Sequence, residues 1–161
     1  MRHISALIIF VLIGCVSQPT GTPTPTSLPS TAAEVQSVLI QFFDRLNAKQ
    51  YAEADVLYGG DYEQLQIFSP DALDHAALWA GACERAGLQC LSIRTATFQN
   101  LLGDTYVFQV EFSNPDGSLF VRGPCCGADE TEIPPVSQFE YRVTRNADGN
   151  FTVMDLPPYT P

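Results

Sequence analysis

The sequence predicts an α+β domain over residues 31–161, in which three N-terminal helices pack on a curved antiparallel sheet of four to five strands. Three observations lead to this fold class. Apolar residues recur at helical spacing between Val35 and Leu46. From Gln89 onward, apolar and polar residues alternate, as they do in strands with one buried face. All helical segments precede the strands, an order typical of helices packed on one face of a sheet.

Three helices are expected before the sheet. The first opens at a capping box formed by Thr31 and Glu34. A second helix is expected over about 51–58, where two glycines follow it. The segment 61–68 fits either a short helix or a strand. A third helix is expected over about 69–85, because its Ser-Pro-Asp start supplies an N-cap, a proline at the first helical position and an acid in the first turn.

The strands are expected from their period of two and from the turn sequences between them. Turn residues at 114–117 and 146–149 join neighbouring segments into antiparallel hairpins. The expected strands lie near 91–97, 106–112, 118–122, 139–143 and 151–153.

The first fifteen residues are expected to carry an export signal. The apolar run 4–13 is too short for a transmembrane helix, which needs about 20 residues, and it has the proportions of a signal-peptide core. The stretch 12–15 (LIGC) resembles the lipobox of bacterial lipoproteins. That resemblance implies removal of residues 1–14 and acylation of Cys15, whose several acyl chains would give the stable anchoring that one chain does not. An ordinary secretory signal cut elsewhere is the alternative.

Residues 15–30 are expected to be the lipidated cysteine and a tether rich in proline, threonine and serine. Such a composition cannot build a core and favours extended conformations. At about 3.1 Å per residue it would reach roughly 45 Å. The expected location is therefore the bacterial cell envelope, with the domain lipid-anchored to the membrane and facing outside the cytoplasm.

The charge of the chain restricts its partners. Eighteen Asp and Glu residues against eight Lys and Arg residues give a net charge of −10. Phosphate backbones repel such a surface, so nucleic acid is excluded as a partner. The expected partners are the membrane, through the lipid anchor, and a small apolar ligand or an envelope protein. No metal site is expected, because the sequence has no H-E-x-x-H motif and no paired C-x-x-C motif, and no cofactor is expected.

Four cysteines remain once Cys15 is assigned to lipid. An even number in an exported domain predicts two disulfides, and Cys83, Cys90, Cys125 and Cys126 allow three connectivities. One of them pairs the two adjacent cysteines in a strained ring. The other two link the 83–90 segment to the 125–126 loop and are favoured, because they close long loops without that strain. A redox or soft-metal pair at 125–126 is the alternative, although it lacks C-x-x-C spacing.

A second resemblance concerns the domain itself. The stretches 42–48 (FFDRLNA), 49–54 (KQYAEA) and 149–156 (GNFTVMDL) are similar to the opening helices and last strand of nuclear-transport-factor-2-like (cystatin-like cone) domains. The resemblance implies a cone between helices and sheet that often holds a ligand. The four-cysteine arrangement and the loop 123–135 depart from that pattern. Aromatic residues that would line an apolar pocket in the cone, or else form plain core, are Tyr58, Tyr62, Trp79 and Tyr106.

Two further groups are candidates for chemistry. His75 is the only histidine outside the predicted signal segment and is flanked by Asp74. The pair would act as a carboxylate-oriented general base, or His75 is simply an exposed helix residue. Asp129, Glu130 and Glu132 would bind calcium with loop carbonyls, but their spacing fits a solvated acidic loop better. No position matches the catalytic motifs of the superfamily's enzymes, so no catalytic residue is assigned.

The expected function is non-catalytic binding of a small ligand or protein partner by a membrane-anchored extracytoplasmic lipoprotein. Two alternatives stay open. One is an enzyme of hydrolase or isomerase type that uses the cone as its active site. The other is a structural spacer without a pocket.

Overall fold

The computed structural model describes residues 30–161. The predicted signal segment, Cys15 and the tether as far as residue 29 lie outside the described residues. The domain is α+β, which confirms the coarse fold class predicted from the sequence. Its elements, in chain order, are α1 (Ser30–Asn47), α2 (Tyr51–Asp55), α3 (Tyr62–Phe68), α4 (His75–Glu84), β1 (Ser92–Leu102), β2 (Thr105–Ser113), β3 (Phe139–Arg145) and β4 (Phe151–Val153).

The four strands form one antiparallel sheet in the order β1-β2-β3-β4. Phe108 on β2 pairs with Tyr141 on β3, and Val143 on β3 pairs with Val153 on β4. The β1–β2 ladder changes register twice, after Ile93 and after Phe98. Such irregularities bend a strand and increase its twist, so the long first hairpin does not lie flat.

The predicted strand at 118–122 is absent from the sheet of the described domain. The segment instead makes two isolated bridges, one between Ser113 and Leu119 and one between Arg122 and Val136. Phe120 is nonetheless buried, and its backbone N–H donates to the carbonyl of Phe112 at 2.9 Å. The predicted strand does not form because the segment after the turn at 114–117 pairs only at these two isolated bridges.

The core lies between α1 and the sheet. The apolar stripe of α1 is buried as the helical spacing predicts, and Phe43 contacts Phe112 and Tyr141 edge-on, with ring centroids 4.8 and 5.0 Å apart. Burying one such side chain stabilises the fold by about 1.5–3 kcal/mol. The buried residues of this stripe are Val35, Leu39, Phe42, Phe43 and Leu46. The helix begins at Ser30, so Thr31 lies inside it rather than capping it.

The start of the last helix was predicted wrongly. α4 begins at His75 rather than at Pro70, because the Asp74 side chain accepts a hydrogen bond of 2.8 Å from the Ala77 N–H and caps the helix there. The segment before it forms a turn instead. Leu73 in this segment is 98 % exposed.

The ambiguous segment 61–68 contains helix α3, so the domain has four helices in its described part rather than three. Asp61 caps α3 by accepting a hydrogen bond of 2.8 Å from the Glu63 N–H, and Leu65 is its buried residue. None of the helices in residues 30–161 is long and apolar enough to cross a membrane.

The last residues of the chain pack against the link between α4 and β1. Gln89 donates its backbone N–H to the Pro158 carbonyl at 2.7 Å, and Thr160 donates to the Gly87 carbonyl at 3.0 Å. Leu88 and Tyr159 form an isolated antiparallel bridge. These contacts fix the C-terminal segment, and Tyr159, Thr160 and Pro161 line a groove together with Cys125 and Cys126.

Candidate functional site

Three of the helices bring polar side chains together at Asp55, the last residue of α2. The Tyr62 hydroxyl donates to Asp55 Oδ1 at 2.7 Å, and the Trp79 indole N–H donates to the same oxygen at 3.2 Å. His75 Nδ1 lies 3.3 Å from Asp55 Oδ2. We call Asp55, Tyr62, His75 and Trp79 the Asp55 cluster.

Helix starts position the Asp55 cluster. Tyr62 and His75 are the first residues of α3 and α4, and their rings stack with centroids 3.8 Å apart. Trp79 follows His75 by four residues, which places both on one face of α4. The two helix starts therefore point their first aromatic residues at the carboxylate that ends α2.

Burial and nearby carboxylates keep Tyr62 of the cluster and the neighbouring Tyr58 protonated. Burial raises the pKa of Tyr62 well above its usual value, and the hydrogen bond to the Asp55 carboxylate raises this pKa further. Burial also raises the pKa of Tyr58, with Asp61 and Asp155 adding to the effect. Both hydroxyls are therefore donors at neutral pH, and Tyr62 is a donor to a carboxylate.

The predicted pocket residues are packed rather than arranged around a cavity. Trp79 is fully buried, and its ring lies edge-on to Tyr58 and Phe42, with centroids 5.0 and 5.6 Å away. Tyr58 in turn contacts Tyr62 edge-on at 5.3 Å. The structure thus brings three of the four predicted residues together, as interior packing.

Tyr106, the fourth predicted residue, lies elsewhere. It belongs to β2, and its neighbours are Phe98 and Phe151, with ring centroids 6.2 and 5.7 Å away. In the register of the sheet, Val143 on β3 and Val153 on β4 separate Tyr106 from Tyr58, which forms an isolated bridge with Val153.

His75 is exposed, as one of the two interpretations expected, but its carboxylate partner is Asp55 rather than the adjacent Asp74. The Asp74 carboxylate accepts a hydrogen bond from the Ala77 N–H at the N-terminus of α4 instead. A carboxylate beside one imidazole nitrogen is the geometry that orients a general base. Sequence reasoning missed Asp55; the available signal was the need of a buried Trp N–H and a half-buried Tyr O–H for an acceptor.

The structure pairs Cys83 with Cys90 in a disulfide whose Cα atoms are 5.6 Å apart. The favoured cross-link between the 83–90 segment and the 125–126 loop is therefore wrong. The reason is local: Gly87 has a φ of 85° and reverses the chain after α4, which returns Cys90 to the side of Cys83. The Cα separation falls within the usual range for disulfides.

Cys125 and Cys126 are thiols whose sulfur atoms lie 2.8 Å apart. Cys126 is exposed and has a φ of 63°, and Gly127 follows with a φ of 88°. The Ala128 N–H closes the turn by donating to the Cys125 carbonyl at 3.1 Å. Hydrogen bonding and charge repulsion from Cys125 raise the pKa of the Cys126 thiol.

Beside this turn lies a groove of about 580 Å³, which we call the cysteine groove. Its apolar side chains include Ile133, 42 % exposed, and Tyr159, 43 % exposed, so the groove is open to solvent. The remaining lining residues are Arg122, Gly123, Pro124, Cys125, Cys126, Thr160 and Pro161.

No protein-family model matches this chain, and no curated protein is significantly similar to it in sequence. The lipobox and the nuclear-transport-factor-2-like pattern therefore rest on the residues that carry those resemblances.

The acidic loop is organised by its own backbone. Asp129 Oδ1 accepts from the Thr131 and Glu132 N–H groups at 2.8 and 3.1 Å, and the Thr131 hydroxyl donates to it as well. These hydrogen bonds lower the pKa of Asp129. Within residues 30–161, no group of three or more His, Cys, Asp or Glu side chains is arranged to hold a metal ion.

Proposed function

We propose that this protein is a lipid-anchored binding protein of the bacterial cell envelope, whose folded domain binds an envelope protein through the cysteine groove. One observation carries the proposal: the aromatic side chains of the interior are packed against one another, whereas apolar side chains of the groove are exposed. Binding at the surface therefore fits the geometry better than binding of a small ligand inside the domain.

The groove offers the chemistry of a protein-binding surface. Tyr159 supplies a rigid aromatic ring with a polar tip, a residue type enriched at interfaces. Ile133 supplies an apolar wall, and Arg122 carries a guanidinium that lies 5.6 Å above the Phe139 ring. Apolar side chains of the partner would enter the groove. The acidic residues at 129–132 favour a partner with basic residues around those side chains.

The anchor is proposed from the sequence. Cys15 would carry the acyl chains after removal of residues 1–14, and residues 15–30 would hold the domain away from the membrane. The strongly acidic composition supports this stand-off, since anionic headgroups repel it.

The finer fold assignment is also proposed. The stretches that resemble the nuclear-transport-factor-2-like superfamily fall on α1, α2 and β4, and the described helices all precede the strands. Bulges in the β1–β2 ladder supply the sheet curvature that a cone needs. The proposed domain is a member of this superfamily whose cone is filled by Phe42, Tyr58 and Trp79.

Metabolic labelling with a fatty acid tests the anchor. The wild-type chain should incorporate label and fractionate with membranes, and Cys15→Ser should lose both. Cys126→Ser is the matched control, since it removes a cysteine without touching the lipobox. Label retained by Cys15→Ser would contradict the anchor.

Site-specific photo-crosslinking in intact cells tests the groove. A crosslinker at Ile133 should give one defined adduct with an envelope protein, and a crosslinker at the fully solvated Leu73 should not give it. Tyr159→Ser should abolish the adduct from Ile133 while leaving the circular dichroism spectrum unchanged. The same adducts from both positions, or none from Ile133, would exclude the groove as the binding surface.

A structural spacer is the second candidate, favoured by the packed interior. A spacer depends on the presence of a folded domain and not on its groove. Variants substituted at Ile133 or Tyr159 would then still complement every envelope phenotype of a strain that lacks the protein.

A catalytic role is the third candidate, and the His75–Asp55 pair is the observation that favours it. His75→Ala separates it from the binding proposal, because His75 is not among the residues that line the cysteine groove. Loss of function in this variant, with partner crosslinking retained, would indicate catalysis.

A further inference from the structure

We propose that Cys125 and Cys126 form a reversible vicinal disulfide, and that this pair is a redox-active site that exchanges electrons with small thiols and disulfides. The proposal does not rest on the anchor or on partner binding, although both cysteines line the cysteine groove. It assigns a chemical role to a pair of residues that the fold does not need for packing.

The first support is the pairing of the other cysteines. Cys83 and Cys90 are bonded to each other, so neither is available to the 125–126 loop. Among the described residues, Cys125 and Cys126 have only each other as a thiol partner. Their sulfur atoms lie 2.8 Å apart, against about 2.05 Å in a disulfide, so each sulfur is already the neighbour of the other.

The second support is the shape of the turn. Cys126 has a left-handed backbone, with φ of 63°, which non-glycine residues rarely adopt. The turn is fixed on one side by the reciprocal hydrogen bonds between Arg122 and Val136, at 2.8 and 2.9 Å. On the other side it is fixed by the bond from the Ala128 N–H to the Cys125 carbonyl. The two sulfurs are thus held on one side of a defined turn.

The third support is the contrast between the two cysteine pairs. Adjacent Cα atoms are about 3.8 Å apart across a trans peptide, which is closer than the usual range of about 4.4–6.8 Å in disulfides. A bond formed there is strained, and strained, exposed disulfides are the labile ones. The Cys83–Cys90 pair, with 5.6 Å between its Cα atoms, lies inside the usual range. One pair suits a structural role and the other suits exchange.

Exposure determines which sulfur is attacked. Cys126 is exposed, whereas Cys125 is partly buried beside Pro124. Gly127 follows Cys126 with no side chain, and open space surrounds the position where a Cβ would lie. An incoming thiolate therefore reaches the sulfur of Cys126 more easily.

The exchange balances as a two-electron reaction. The thiolate of a small thiol attacks Cys126 Sγ, the bond between the two cysteine sulfurs breaks, and Cys125 leaves as a thiolate. A second small thiolate attacks the outer sulfur of the mixed disulfide and releases Cys126. Two small thiols are oxidised to one disulfide, the vicinal disulfide is reduced to two thiols, and the two protons of the small thiols pass to the cysteines. The reverse reaction, with a small disulfide as oxidant, closes the ring.

Equilibration of the full-length protein in glutathione redox buffers, followed by alkylation and peptide mass spectrometry, tests the proposal. The vicinal pair should close in oxidising buffer and open as the buffer becomes reducing. Its equilibrium constant for reduction should exceed that of Cys83–Cys90 by at least about tenfold, which corresponds to about 30 mV for a two-electron couple.

Single-cysteine variants complete the test. In oxidised glutathione, Cys125→Ser should retain one glutathione on Cys126, whereas the wild type should release it by closing the ring. The matched control is Cys83→Ser/Cys90→Ser, which should leave the titration of the vicinal pair unchanged. If that variant does not fold, Cys125→Ser alone decides the test. Two free thiols at 125 and 126 in fully oxidising buffer would overturn the proposal. Peptides that link 83 or 90 to 125 or 126 would overturn it as well.

Discussion

The Tyr62 hydroxyl donates a hydrogen bond of 2.7 Å to the Asp55 carboxylate, and through this contact the start of α3 is joined to the end of α2. The buried Trp79 N–H donates to the same oxygen and joins α4 to both. A single carboxylate therefore organises three short helices, none of which would be stable alone at its length. The Asp55 cluster is a structural junction whatever its chemistry.

We expect Asp55→Ala to lower the free energy of unfolding by about 2–3 kcal/mol, because it leaves the buried Trp79 N–H without its acceptor and removes the Tyr62 contact. Tyr62→Phe should cost about 1–2 kcal/mol, since Trp79 keeps its acceptor. Urea denaturation measures both. Glu53→Ala, which removes an exposed carboxylate from the same helix, is the control and should change little. Equal effects of Glu53→Ala and Asp55→Ala would show that the junction does not exist.

Much of the architecture could be predicted from the sequence because periodicity reports burial directly. The stripe of α1 and the alternation of β2 and β3 placed the core correctly. The start of α4 was missed because two capping sequences, Ser69-Pro70 and Asp74, compete within six residues, and only tertiary contacts select one. Asp55 was missed for a related reason: its donors come from two other helices, and a single sequence does not show which helices meet.

Gly81 gives a second prediction, because it is buried in α4 where its Cα faces Ser69. In a typical helix interior, Gly→Ala is stabilising by about 0.5–1 kcal/mol. Here a Cβ would overlap the Ser69 side chain, so Gly81→Ala should destabilise the domain instead. Thermal unfolding followed by circular dichroism shows whether Gly81→Ala raises or lowers the melting temperature.

The double variant Gly81→Ala/Ser69→Gly is the control for that overlap. Removing the Ser69 side chain should recover stability relative to Gly81→Ala alone. If the two substitutions were additive, the overlap would not be the cause of the loss.

The Cys83–Cys90 disulfide closes a loop with a sequence separation of seven residues. In the chain-entropy model, closing a loop of that size stabilises the folded state by about 2–3 kcal/mol, because it restricts the unfolded chain. We expect Cys83→Ser/Cys90→Ser to lower the free energy of unfolding by that amount, which a urea titration would record as a lower denaturation midpoint. The double substitution Cys125→Ser/Cys126→Ser should leave the midpoint nearly unchanged, because those side chains are outside the core. A larger loss from the second variant would contradict the division into a structural and a labile pair.

Alkaline pH should unfold the domain through its tyrosines. Burial and the neighbouring Glu84 raise the pKa of Tyr51 to about 12, and burial raises the pKa of Tyr58, Tyr62 and Tyr141 as well. In the unfolded chain these groups titrate near pH 10. The folded state therefore binds more protons than the unfolded state above that pH. The stability that these protons provide is complete below about pH 10 and falls as the pH rises further.

Tyrosinate absorbance and far-ultraviolet circular dichroism, recorded together during an alkaline titration, test this expectation. Tyrosinate from the four raised groups should form in one cooperative step that coincides with the loss of helix and sheet signal. Tyr141→Phe should reduce the absorbance of that step by one tyrosine, although it also removes the Tyr141 hydrogen bond to the Leu156 carbonyl at 3.2 Å. Non-cooperative titration of every tyrosine near pH 10, with the fold intact, would show that the buried hydroxyls are not held protonated by the structure.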